Sequence, residues 1–239
     1  MKEEKYFGKM KKKLEPSFRL YFFFIIFFLI PQSTYSESFD LIINGLQKYL
    51  NNTNDFTASF IQVTKLQSFE EKQISSGEVY IMKPGQMRWE YQKPELQTIV
   101  INSRQVWIYT PEDNQVIKTR IEKLGTSVIY KLFLSNEIMI NEIFNIAAVK
   151  EEENSGKRVF FLELFPKNTE INIYKVIIEL SSISYEIKSF VTYDQLDNIT
   201  TVKFTNIRRN KGIKPSIFDF KIPEGVEIVT SEDLGVSEN

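Results

Sequence analysis

Residues 80–91 read YIMKPGQMRWEY, two aromatic-rich runs about a Pro-Gly turn. Lys83-Pro84-Gly85-Gln86 fits a four-residue turn in which Pro fixes φ at the second position and Gly supplies positive φ at the third, the type II pattern. Pairing outward from that turn sets Met82 against Met87 and Tyr80 against Trp89, and Tyr91 continues the same face by the period of two. Val79 and Ile81 then lie across from Arg88 and Glu90, so one face is predicted large and apolar and the other mixed. The next runs repeat the texture, with Ile99 and Ile101, then Trp107 and Tyr109 beside Val106 and Ile108.

Working outward, short runs rich in Val, Ile, Phe, Tyr and Thr are broken by turn signals too closely spaced for helices between them. Strands are predicted near 56–69, 73–83, 86–92, 97–102, 105–110, 114–121, 144–152, 158–165, 172–180, 183–193 and 199–208, and a last one carries Phe218 and Phe220. Two segments break this texture. ESFDLIINGLQKYLNN places Phe39, Ile42, Ile43, Leu46 and Leu50 on one helical face, and TSVIYKLFLS does the same with Val128, Ile129, Leu132 and Phe133 behind a Thr126 or Ser127 cap. No Gly/Ser-rich or Pro-rich linker divides this body. The pattern predicts one mainly β (α+β) domain over 37–239, a curved antiparallel sheet of about ten strands with two or three short helices.

Ahead of the body stand a basic stretch around KMKKKLEPSFR, an apolar run LYFFFIIFFLI from Leu20 to Ile30, and then PQSTYSES. Eleven apolar residues fall short of the roughly 20 that span a bilayer. The layout is that of a secretory signal peptide over 1–36, cleaved near Ser36, with Met10 a second candidate start; an uncleaved anchor is the competing reading. The first 36 residues hold seven Lys/Arg and three Asp/Glu, which leaves the body 23 basic against 28 acidic, a net of -5. Such a body has no electrostatic footprint for nucleic acid. It also contains no His and no Cys. This excludes imidazole-based triads, His or Cys zinc sites, disulfides and lipidation of an N-terminal Cys. Carboxylates such as Glu78, Glu90 and Glu95 remain for acid–base chemistry, and each reads equally well as the polar face of a strand or a loop charge. No enzymatic activity, cofactor or metal is expected.

The apolar face of the hairpin has a core reading, under the helices, and a binding reading. Flexible Met and broad aromatic rings suit a surface that accepts a variable apolar guest. Each acyl methylene moved from water is worth roughly 0.8 kcal/mol, so one fatty chain contributes on the order of 10 kcal/mol before binding costs are subtracted.

Several segments together resemble the LolA family of periplasmic lipoprotein carriers: DFTASFIQ, GEVYIMKPGQMRWEYQKP, VWIYTP, FLELFPK, TTVKFTNIRRNKGI and FDFKIPEGVEIV. The resemblance implies an incomplete β-barrel closed by a helical lid, around a cavity that holds acyl chains of lipoproteins moving from the inner to the outer membrane. It would draw the cavity wall from Phe60, Tyr80, Met82, Met87, Trp89, Tyr91, Ile99, Ile101, Trp107 and Tyr109, and the lid from Phe39, Ile43, Leu46, Val128, Ile129, Leu132 and Phe133. It implies acylated lipoproteins as cargo, an inner-membrane ABC lipoprotein exporter as loader and an outer-membrane lipoprotein receptor as unloader, with the carrier a periplasmic monomer. Lys83 stands where the family often has an Arg that holds the lid, and it cannot form Arg's planar fork of bonds. The alternation also sets Lys83 opposite Tyr80 and Met82, which argues against a gate there. Asn102-Ser103 replaces the family's usual Asp-Gly turn, which predicts a longer loop. A carrier of another envelope lipid or glycolipid, and an envelope partner-binding or sensor module, are the alternatives.

Overall fold

The computed structural model describes residues 34–69, 71–123, 127–154, 156–168 and 172–230. Backbone contacts divide the chain into Met1–Ser38 and Phe39–Asn239. The expected leader lies outside the described residues as far as residue 33, and so does the Thr126 cap. A long helix, α1 (Thr34–Asn51), leads into strands β1 (Asp55–Lys65), β2 (Lys72–Met82), β3 (Gln86–Lys93), β4 (Gln97–Asn102), β5 (Gln105–Thr110) and β6 (Gln115–Arg120). After a 3-10 turn at Ile121–Lys123 come α2 (Ser127–Leu134) and α3 (Ile140–Ile143). Strands β7 (Phe144–Asn154), β8 (Lys157–Pro166), β9 (Ile173–Ser181), β10 (Ile187–Asp194), β11 (Ile199–Arg209) and β12 (Glu227–Thr230) complete the chain.

All twelve strands form one sheet in the order β12-β6-β5-β4-β3-β2-β1-β11-β10-β9-β8-β7, which does not close on itself. Two runs of sequential hairpins are joined at the centre, where β1 pairs with both β2 and β11. Every pairing is antiparallel except β12 with β6. The expected last strand through Phe218 and Phe220 is instead a 3-10 turn, Pro215–Phe218, and the strand starts at Glu227. Pro215 has no N–H to give a ladder, and its fixed φ suits the start of a helical turn. The strand expected from residue 183 begins at Ile187, because Ser181 Oγ accepts hydrogen bonds from the Ile183 and Ser184 N–H groups at 3.3 and 3.4 Å and Tyr185 turns the chain at φ 56°.

The decisive hairpin is paired one residue away from the expected register. Met82 faces Gln86, Ile81 faces Met87, Tyr80 faces Arg88 and Val79 faces Trp89. The loop therefore has three residues, Lys83-Pro84-Gly85, with a cis Lys83–Pro84 bond and Gly85 at φ 72°. An odd loop length moves a whole strand's side chains to the other face. Val79 and Ile81 point to the core with Met87 and Trp89, whereas Tyr80 and Met82 lie on the opposite face with Arg88. The β4–β5 loop is shorter than expected. Asn102 pairs with Gln105, and Ser103 takes φ 58° while its N–H donates to the Gly85 carbonyl at 2.8 Å, a bond that holds the left-handed conformation.

Both faces of the first half of the sheet are covered. Helices and the inner face share the main core, which includes Leu46, Phe60, Leu132 and Ile178. On the outer face the segment around Pro215–Phe218 lies over β3 and β4, where Phe218, Val100 and Val116 are fully buried. Phe220 continues that cover, 6.2 Å from the Trp107 ring and 6.1 Å from the Tyr109 ring.

Candidate apolar binding site

The inner wall is built over a missing side chain. Gly77 pairs with Phe60 on β1 and with Tyr91 on β3, at a register shift. A Cβ there would stand 1.8 Å from the Glu90 carbonyl oxygen, so only Gly fits. With no side chain between them, the Phe60 ring meets Trp89 at 4.6 Å and Tyr91 at 5.0 Å, both edge-on. Edge-to-face rings at these distances add about 0.5–1.5 kcal/mol each beyond their burial. The Tyr91 hydroxyl then reaches Gln62 Oε1, to which it donates at 3.1 Å. Burial pushes the Tyr91 phenol above its ordinary pKa.

The helices lie against this wall. Ile42, Ile43, Leu46, Tyr49 and Leu50 of α1 are buried, as are Leu132, Phe133 and Leu134 of α2; Phe39 is half-buried against the same core. Val128 and Ile129 belong to α2, and their side chains lie outside the described residues. Phe133 sits 6.3 Å from Phe190 and 6.5 Å from Phe204. Polar bonds fix the helix ends. Lys83 Nζ donates to the Leu50 carbonyl at 2.8 Å, and the Gly85 N–H donates to the Leu134 carbonyl at 3.1 Å, so the β2–β3 loop holds the last turns of both α1 and α2. A cation at a helix C-terminus is favourably placed against the backbone dipole. Desolvation lowers the Lys83 pKa to about 8. The corrected register also removes the objection from sequence, since Lys83 is in phase with Val79 and Ile81. From the sheet side, Arg209 lies 4.6 Å over the Tyr49 ring and donates to the Tyr49 carbonyl at 3.4 Å.

Between wall and helices remains a cavity of about 270 Å³ lined by Gln62, Trp89, Tyr91, Ile99, Tyr130, Phe190, Thr192, Thr200 and Val202. Of the wall residues singled out in the sequence, Trp89, Tyr91 and Ile99 line it. Phe60, Met87 and Ile101 are fully buried in the same inner layer. Tyr80, Met82, Trp107 and Tyr109 face away from it, the last two under Phe220. Gln62, Tyr130, Phe190, Thr192, Thr200 and Val202 escaped the sequence reading. Phe190 and Thr192, and Val202 and Phe204, do alternate at period two, but which face they join depends on β11 pairing with a strand some 140 residues earlier. Two of the three carboxylates considered for chemistry have structural partners, Glu78 accepting from Ser59 Oγ at 2.8 Å and Glu90 from Arg88 Nε at 2.6 Å, and Glu95 is exposed.

Among the described residues no helix is long and apolar enough to cross a membrane, and no three His, Cys, Asp or Glu side chains are grouped to hold a metal. The family model described as outer membrane lipoprotein carrier protein LolA matches residues 51–221. The outer-membrane lipoprotein carrier protein of Legionella pneumophila is 30% identical over 209 residues, 87% of this chain and 97% of that protein. The protein of that name from Methylococcus capsulatus is 29% identical over 184 residues, 77% of this chain and 85% of its own length. Among solved structures, an uncharacterized conserved protein of Thermus thermophilus shares the fold at a TM-score of 0.52 and 15% identity, over 81% of this chain and 99% of that one. A family model that spans the sheet from the end of α1 to the outer cover leaves one assignment: this chain belongs to the LolA family.

Proposed function

We propose that the protein is a lipoprotein carrier of the bacterial periplasm, which takes acylated lipoproteins from an inner-membrane ABC exporter and delivers them to an outer-membrane receptor. The observation that supports this most directly is a cavity bounded by the inner sheet face and α2 with no charged side chain in its lining. The carriers named above share the family, which supplies the cargo class. Transfer on this reading is a handover between apolar sites, with no bond made or broken.

A volume of about 270 Å³ is below the roughly 300–1,000 Å³ of pockets that enclose a drug-sized guest. On the carrier reading this is the resting state, in which α1 and α2 occupy the ground that acyl chains would take. Cargo would displace Leu46, Leu132 and Phe133 from the wall and replace their contacts with its own, so the lid equilibrium shifts by the difference between two similar apolar burials. Lys83 and Gly85 are the proposed gate, because their bonds to Leu50 and Leu134 must break for either helix to lift. The test is uptake of a dipalmitoylated peptide without detergent, alongside native mass spectrometry of protein purified from cells. A bound species with the mass of an acylated peptide is expected. A free glycolipid as the only ligand would favour the other-lipid reading, and no acyl ligand in either experiment would overturn the carrier reading.

A further inference from the structure

The inner face changes character along the strands. Nearer the β2–β3 loop the central strands present apolar side chains: Phe56, Ala58 and Phe60 on β1, Phe204 on β11, Phe190 on β10, and Met87 and Trp89 on β3. Toward the other end the same inward positions become Gln62 and Thr64 on β1, Thr200 on β11, Thr192 on β10, and the hydroxyl of Tyr91 on β3. Register places Thr64 opposite Thr200 and Thr200 opposite Thr192, so three hydroxyls share one level, with Gln62 one inward position nearer the apolar end, opposite Val202, and the Tyr91 hydroxyl reaching it from β3.

These groups form a loosely bonded belt. Tyr91 OH donates to Gln62 Oε1 at 3.1 Å, Gln62 Nε2 donates to Thr64 Oγ1 at 3.4 Å, and the hydroxyls of Thr64 and Thr200 are 3.4 Å apart. Thr192 is buried and lines the cavity. Two of the three bonds are long, so donors are available to an added acceptor at little loss. An adjoining groove shares Gln62 and Tyr91 with the cavity and runs outward past Gln73, Ser75, Gln97 and Thr110. The belt thus stands where the apolar interior meets a polar way out.

We propose that this belt is a head-linkage subsite, in which Gln62, Thr192 and Thr200 donate hydrogen bonds to the ester or amide carbonyl oxygens that join acyl chains to their head group. The ligand class is set by what the belt offers: uncharged donors, no cation for a phosphate and no anion for an amine among the cavity's lining residues. The chains extend inward from it past Trp89, Ile99 and Phe190, and the rest of the head leaves by the polar groove. The proposal rests on the carrier reading and adds to it a depth at which the guest stops.

Acylated peptides and glycerophospholipids both contain such carbonyls, so the test uses both. Binding to the full chain is measured for a dipalmitoyl-glyceryl-cysteine peptide, its dialkyl ether counterpart, and dipalmitoyl phosphatidylglycerol with its own ether counterpart. One or two hydrogen bonds make the ester peptide about fivefold to thirtyfold tighter than its ether. In the double variant Gln62→Leu, Thr200→Val that ratio falls toward one; the comparison within wild type needs no variant to fold. An ester preference for the peptide alone identifies lipopeptide as the source, and a preference in both pairs assigns the subsite to acyl carbonyls in general. Equal binding of ester and ether by wild type, or a ratio unmoved in the double variant, overturns the subsite alone. No binding of either peptide overturns the carrier reading beneath it.

Discussion

Lys83 and two tyrosines give the protein a testable pH profile. The Lys83 ammonium is lowered to about 8 by burial, so between pH 8 and the ordinary lysine value of 10.5 the unfolded chain binds more protons than the folded one. Stability therefore rises with pH through that window, and the contribution is lost as pH falls through 8. Tyr49 and Tyr91 have the opposite sign. Burial raises both phenols above the usual 10.0, so their contribution is present below 10 and lost as pH climbs past it. Denaturant melts across pH 7 to 11 should pass through a maximum near pH 9 to 10, and Lys83→Met should flatten the rising side. Tyr49 offers a second test at this scale. Its hydroxyl is buried without a hydrogen-bond partner among the described residues, while its ring supports Arg209. Tyr49→Phe keeps the ring and removes the orphan group, and is expected to stabilise by about 1 kcal/mol, a rise of about 2–4 °C in Tm.

At the scale of elements, α1 depends on a notch. A Cβ on Gly45 would stand 2.5 Å from the Tyr185 ring, which the β9–β10 turn presents from a left-handed residue. Gly45→Ala gains about 1 kcal/mol of helix propensity and loses about 1–3 kcal/mol to overpacking, so the loss prevails. The double variant Gly45→Ala, Tyr185→Gly should recover stability relative to Gly45→Ala alone in thermal melts. Neither the notch nor the belt was legible in the sequence, because each is a meeting of distant segments. Most strand positions were legible to within a residue or two, since period two and turn residues are local signals, and the two main helices likewise; the end of β1, the start of β10 and the last strand were not. The YIMKPGQMRWEY hairpin shows where local reasoning stops. Pro-Gly fits a four-residue turn and a three-residue loop equally well, and that single residue decided which side of β2 faces the core. Trp107 and Tyr109 show the other limit. Aromatic content marks a buried face, but only the returning C-terminal segment determines that this face is the outer one.

For the whole molecule, the helices and the sheet differ in what holds them. Most strands are bonded on both sides, whereas the ends of α1 and α2 are tied through a few contacts from Lys83, Gly85 and Arg209. Amide exchange should therefore show α1 and α2 opening at lower free energy than β1, β8 or β9, and Lys83→Met should lower the α1 value further. Equal protection of helices and central strands would mean the lid does not move apart from the sheet. Among the described residues β7 and β12 pair on one side only, which matters for the same reason. A closed barrel has a circumference dictated by strand number and stagger, so its contents must fit the vessel. A sheet that ends in two unjoined margins can bow or relax without breaking a ladder, and on the carrier reading proposed above its capacity would be elastic, set by whatever it encloses.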